Sequence, residues 1–233
     1  MTGGWVMCVF AVPMQVLSLL MFLRTALSDP GILPRPGVSL PAEVVSVLTM
    51  LTPVNPPKHQ DVAVQGHLFK LKYCATCRMY RPPRCVHCSI CDNCVLKFDH
   101  HCPWVGNCVG ARNYRSFIYF IYSTSLYLIL VLVASPVKFF VLVQDYHTDS
   151  LSNAIKAAFE HAWDAAILTI YSLGFLWFVV GLTGYHAYLI STNQTTYEQI
   201  KGYYDDNTNP WDKGPLKNFR SLVFQPKITR IPL

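Results

Sequence analysis

Eight of the nine cysteines in this 233-residue chain lie between Cys74 and Cys108, in the run CATCRMYRPPRCVHCSICDNCVLKFDHHCPWVGNC. So dense a cluster of thiols with imidazoles between them has two physical explanations, a disulfide knot or bound metal. Metal fits better. The Cys-x-x-Cys spacings at Cys74/Cys77, Cys88/Cys91 and Cys91/Cys94 set two sulfurs on one side of a tight knuckle, as two corners of a zinc tetrahedron require. Histidines interspersed with the cysteines, at His87, His100 and His101, are what a metal recruits and a disulfide framework does not. Two zinc ions need about eight ligands, four each. Setting aside Cys85 and Cys102 leaves Cys74, Cys77, Cys88, Cys91, Cys94 and Cys108, and His87 and His101 complete the set. His87 and Cys88 are adjacent and would strain to reach one ion, so different ions are expected for them. Spacing leaves the rest of the pairing open.

Cys102 stands apart because of its neighbours, Asp99-His100-His101-Cys102-Pro103-Trp104. Zinc removes the nucleophilicity of a bound thiolate, whereas a free imidazole beside a thiol accepts its proton and activates it. A carboxylate next to that imidazole fixes its tautomer and stabilises the imidazolium. Asp99, His100 and Cys102 thus read as orienter, base and nucleophile. The competing reading is one more pair of zinc ligands.

The stretch resembles the cysteine-rich domain of the DHHC family of protein S-acyltransferases. The resemblance runs through Cys74, Cys77, Arg81, Pro82, Arg84, His87, Cys88, Cys91, Cys94, Asp99, His100, His101, Cys102, Trp104, Asn107, Cys108, Gly110, Asn113 and Phe117. It implies one zinc on Cys74, Cys77, His87 and Cys94 and a second on Cys88, Cys91, His101 and Cys108, with Cys102 free. Outside the cluster it extends to Asp29-Pro30-Gly31, to Thr195-Thr196-Tyr197-Glu198 as a TTxE motif, and to Asn209-Pro210-Trp211, where tryptophan stands in place of the more usual tyrosine.

With 14% charged and 52% hydrophobic residues, the chain falls well below the roughly 25% charge of soluble domains. The expected fold is an α-helical integral membrane protein with three transmembrane helices and a cytosolic zinc domain of short β-hairpins between the first and second. The first apolar run is 5–23, without a charge and just long enough for a bilayer core of about 30 Å. The expected segments are a first span over 1–28, a Pro-rich linker over 29–66, the zinc domain over 67–116, a second span over 117–143, a polar luminal loop over 144–164, a third span over 165–189 and a cytosolic tail over 190–233. An apolar patch from Val44 to Leu51 reads as a short helix on the membrane, and Leu68 to Tyr73 alternates as a strand. Gly174, Gly181 and Gly184 give small faces for helix approach. Leu216, Phe219, Leu222 and Val223 recur at helical spacing.

Of nineteen Lys and Arg, eleven lie in 24–116, six beyond residue 190 and two between the last spans. By the positive-inside rule the cluster and the tail face the cytosol. DHHC enzymes usually have four spans. Here one span precedes the zinc domain and is followed by Asp29-Pro30-Gly31, so 5–23 matches the family's second helix and the first is expected to be missing, with Gln15 left without a partner in hydrocarbon.

The resemblance implies a two-step reaction. Cys102 takes a long-chain acyl group from acyl-CoA, and a cysteine of a cytosol-facing protein substrate then receives it. Lys72, Arg78, Arg81, Arg84 and Lys97 form a basic neighbourhood for the CoA phosphates. The cofactors are two structural zinc ions, the other partner is the lipid bilayer, and the site is the Golgi, ER or plasma membrane. Tethering on both sides of the cluster argues against a nucleic-acid finger. A catalytically weak or inactive zinc-binding adaptor is the alternative, but an adaptor has no use for an unliganded Cys102 beside Asp99-His100.

Overall fold

The computed structural model describes residues 3–36, 56–64, 67–146, 150–205 and 209–224. The Val44–Leu51 patch lies outside them. The chain divides into two units, Met1–Phe22 with Ile118–Ala187, and Leu23–Phe117 with Tyr188–Leu233.

The first unit is helical. Its helices are α1 (Gly3–Leu27), α2 (Tyr114–Asp145) and α3 (Leu151–Ser191), each continuing past the unit's edge. All three are long and apolar enough to cross a membrane. At 1.5 Å per residue α2 and α3 run about 48 and 62 Å, well beyond a core of about 30 Å. Most side chains in the apolar windows face outward, among them Val9, Phe10, Leu19, Val133, Ile170 and Trp177, as lipid contact requires. Inside, hydroxyls pair across helices: Ser18 with Thr124 at 2.6 Å and Ser125 with Thr183 at 2.8 Å. Gln15 is not isolated, because its Oε1 lies 3.5 Å from the Tyr127 hydroxyl, a long contact. Gly174, Gly181 and Gly184 have open space where a Cβ would be, so among the described residues their small faces meet no other helix.

The expected loop over 144–164 is largely helix. α2 runs to Asp145 and α3 begins at Leu151. Polar residues suggest a loop, but Ala154, Ala158, Ala162 and Ala165 recur on one face and are all buried. A good helix former at three- and four-residue spacing favours helix on either side of a kink. The acid at Asp164 pairs with Lys138 at 2.7 Å. Ala162 has non-helical dihedrals (φ −137, ψ 31) and kinks α3.

Among its described residues the second unit carries seven short strands. β1 (His59–Val64), β2 (His67–Cys74) and β3 (Met79–Tyr80) form an antiparallel sheet, and β4 (Val86–Cys88) with β5 (Asn93–Val95) and β6 (His100–Cys102) with β7 (Asn107–Val109) form two hairpins. The strand expected at 68–73 is β2. Its partner β1 falls in the stretch expected to be linker. Strands this short bury little apolar surface. Among the described residues, two buried clusters are Leu33, Cys74, Cys77, Cys85 and Cys94, and Cys88, Val95, Phe98 and Cys108, so thiols make up six of these nine side chains.

The segment leaving α1 is sewn into these hairpins. Asp29 Oδ1 accepts from the N–H groups of Gly31 and Ile32, both at 2.8 Å, and its other oxygen pairs with Arg112. Burial pushes the Asp29 carboxyl up, but those partners outweigh it and hold the group below its usual range. Gly31 sits at φ +116, and a Cβ on Gly110 would lie 2.7 Å from the Pro30 carbonyl oxygen. Both positions need glycine, the first for its dihedral and the second for close backbone approach. In the tail, α4 (Thr196–Ile200) opens with a capping box from Thr195 and Glu198, and α5 (Pro215–Phe224) carries the expected helical repeat with Leu216 and Val223 exposed.

Candidate thiol site and metal centres

Side chains alternate between faces along a strand, and this parity sorts the adjacent ligands. In β4, His87 faces one way and Cys88 the other. In β6, His101 faces opposite to His100 and Cys102. The result is two groups of ligand atoms, Cys74/Cys77/His87/Cys94 and Cys88/Cys91/His101/Cys108, each with its atoms within 4.8 Å of one another. In the first, His87 Nδ1 lies 3.4 Å from Cys77 Sγ and 3.9 Å from Cys94 Sγ. In the second, His101 Nδ1 lies 3.8, 3.4 and 3.7 Å from the sulfurs of Cys88, Cys91 and Cys108. Metal–sulfur bonds of about 2.3 Å and metal–nitrogen bonds of about 2.0 Å give tetrahedral edges of about 3.5 to 3.8 Å. Both clusters fit a metal ion. Each is built alike, from one Cys-x-x-Cys knuckle and one cross-strand pair, His87↔Cys94 or His101↔Cys108.

Cys102 belongs to neither group. It is buried on β6 beside His100, whose Nδ1 lies 2.7 Å from Asp99 Oδ2. That leaves Nε2 for the thiol. Burial pushes the Cys102 thiol up. The His100 hydrogen bond and the N–H groups of Val105 and Trp104 outweigh it and hold the thiol below its ordinary value. Burial also opposes a charge on His100, yet Asp99 and the thiol raise its pKa to about 9. Each group thus favours the charged form of the other.

Asp99 is 1% exposed and is held from the tail. Thr196 donates its N–H to Oδ1 at 2.9 Å and its hydroxyl to Oδ2 at 2.7 Å. Thr196 is placed in turn by a buried ion pair, Arg84 with Glu198, at 2.7 Å to both carboxylate oxygens. Arg84 also donates to Asn193 and lies over the Trp211 ring. Three asparagines knit the tail: Asn193 donates to the Trp211 carbonyl, Asn209 to Thr192 and Asn218 to Ser191. Sequence reasoning finds the Thr-Thr-Tyr-Glu motif but assigns no task to Thr196.

Of the five cations expected near one another, Lys72, Arg81 and Arg84 line a cleft of about 570 Å³ with Phe69, Tyr197 and Trp211. Arg78 and Lys97 do not line it. Arg84 is committed to Glu198. Burial and the neighbouring Arg84 lower the Lys97 pKa to about 8. Arg81 Nε and Trp211 Nε1 are buried with no acceptor among the described residues. Cys85 is buried among the first cluster's thiols.

Apolar spans, two Cys3His groups suited to a metal ion and a thiol outside both define a class, membrane proteins with a cysteine-rich hairpin domain. A family model described as DHHC palmitoyltransferase matches residues 67–203, and the chain belongs to that family, which is membrane-bound. Its relatives include probable protein S-acyltransferase 7 of Arabidopsis thaliana, 42% identical over 219 residues that cover 92% of this chain and 48% of the relative. The palmitoyltransferase ZDHHC9 of Danio rerio is 44% identical, covering 94% of this chain and 57% of its own length. ZDHHC14 of Homo sapiens is 44% identical over 83% of this chain and 41% of its own. The chain spans about half the length of the curated relatives it matches.

Proposed function

We propose that this chain catalyses protein S-acylation through an acyl-enzyme on Cys102. The observation that carries the reading is a buried thiol beside an imidazole whose other nitrogen is held 2.7 Å from Asp99. The Cys102 sulfur attacks the thioester carbonyl of a long-chain acyl-CoA, with His100 holding the thiol proton. The carbon–sulfur bond to CoA breaks, the departing thiolate takes a proton from His100, and an acyl thioester remains on Cys102. The thiol of a substrate cysteine then attacks that thioester. Its proton passes to His100, and Cys102 leaves as thiolate. Asp99, fixed by Thr196, keeps the His100 tautomer throughout.

Two zinc ions would occupy the Cys3His groups. Four protein ligands each leave no open position, so zinc supplies folding free energy and holds the hairpins. The eleven cationic residues of 24–116 and six of the tail favour a cytosol-facing site on an endomembrane or the plasma membrane, with cytosol-exposed cysteine proteins as acceptors. Lys72, Arg81 and the unpartnered N–H groups of Arg81 and Trp211 support the cleft as the place for the CoA phosphates, with Arg78 and Lys97 as outlying charges. The test is intact-protein mass after incubation with palmitoyl-CoA. One acyl group is expected, removable by hydroxylamine and absent from Cys102→Ser. An unmodified wild-type chain would sink the proposal.

A further inference from the structure

Three turns in the second unit follow one plan at a period of fourteen residues. The tip pairs are Cys74↔Met79, Cys88↔Asn93 and Cys102↔Asn107. The backbone enters the left-handed region at the same place in each, at Arg78 (φ 54), Asp92 (φ 52) and Gly106 (φ 64). In each turn, backbone N–H groups reach back to the first sulfur. Cys77 N–H lies 3.5 Å from Cys74 Sγ, Ile90 and Cys91 donate to Cys88, and Trp104 and Val105 donate to Cys102. One pair outward from the tips come Tyr73↔Tyr80, His87↔Cys94 and His101↔Cys108.

The metal groups follow from this series. Each takes two thiols from the tip of one hairpin and the outward pair of the next. The third hairpin gives its outward pair to the second group, and no fourth follows, because the chain enters α2 at Tyr114. Cys102 therefore stands where Cys74 and Cys88 stand, and Val105 stands where Cys77 and Cys91 stand.

We propose that the Cys102 turn is a zinc knuckle lacking its second ligand, and that Val105 is the residue that keeps metal off the nucleophile. A knuckle's N–H groups suit a thiolate whether or not an ion is bound. In the first two turns a bound metal would take the sulfur's lone pair. In the third, Val105 is buried, 6% exposed, and fills the second ligand's place with a side chain that has no lone pair. The Cys102 sulfur keeps its backbone donors and its lone pairs. The role of Cys102 in this inference rests on the proposed function, but the metal count does not.

The test substitutes Val105→Cys in the full chain, in detergent, with a phosphine reductant to prevent a disulfide and with zinc supplied. Wild type should hold about two ions and Val105→Cys about three, the third on Cys102, the introduced thiol and His100, with a solvent molecule as fourth ligand. Self-acylation of Val105→Cys should fall at least about tenfold and return when a weak chelator removes the third ion. Val105→Ala, which removes the side chain without adding a ligand, should stay at about two. A Val105→Cys protein holding about two ions in excess zinc overturns the proposal, and so does a Val105→Ala protein that loses native metal, since Val105 would then be a packing residue of the second centre. If Val105→Cys itself falls below two, Val105→His decides: a third ion upholds the proposal and its absence overturns it. A Cys102→Ser chain that still self-acylates would refute the proposed function while leaving the metal counts of the Val105 variants to be read on their own.

Discussion

At the residue scale the adjacent histidines His100 and His101 face different partners because strand β6 alternates its faces. His101 points to three sulfurs and His100 to Asp99 and Cys102. His100→Ala should cut self-acylation by about two to four orders of magnitude, the usual range for a lost acid–base group, with metal content near that of wild type. His101→Ala should lose metal as well as activity. Metal analysis of both variants decides the matter, and equal metal loss would remove His100 from the role of base. Thr196→Val deletes the hydroxyl donor to Asp99 and keeps the shape. A hydrogen bond to a charged group is worth about 1.5–3 kcal/mol, so acylation should slow roughly ten- to hundredfold. A wild-type rate in that variant would show that Asp99 needs no support from the tail. Cys85→Ala should keep acylating, since Cys85 lies outside both ligand groups.

At the scale of elements, the strands are too short to be stable alone and are legible mainly through what interrupts them. Ligand spacing announces the hairpins, and the alternation of Phe69, Leu71 and Tyr73 announces β2. β1 is illegible because His59 to Val64 has neither a clean apolar face nor a ligand. Its strand exists because it pairs residue for residue with β2, from His59↔Lys72 to Val64↔His67. The start of α3 is hidden for the opposite reason. Its polar residues read as a loop, while alanines at helical spacing decide its form. The TTxE element is anchored by Arg84–Glu198, with side chains 8% and 3% exposed. Removing one partner of a buried pair costs about 3–5 kcal/mol, so Glu198→Ala should lower the thermal midpoint of the metal-loaded chain. It should also slow acylation through Thr196. An unchanged midpoint would mean that the pair contributes nothing net.

For the whole molecule, metal is expected to stand in for a hydrophobic core. Structural zinc contributes on the order of 10 kcal/mol per site, and the second unit's buried clusters are largely ligand thiols. Metal analysis of the pure chain should find about two ions. A strong chelator should unfold this unit while the helical content of the spans persists by circular dichroism. One ion, or a unit that stays folded without metal, would contradict this account.

By itself the sequence pointed to eight candidate ligands, to Cys102 beside Asp99-His100, and to three spans long enough for a bilayer, because residue type, short spacing and run length are local properties. Spacing left the ligand pairing open and the family resemblance implied it; only the tertiary structure decided that Arg84 is committed to a buried carboxylate and that Thr196 holds Asp99. Arg84 and Glu198 are 114 residues apart, and Asp99 and Thr196 are 97 apart. Contacts across such separations have no periodicity along the chain. They arise when burial and hydrogen-bond satisfaction select one arrangement of the elements.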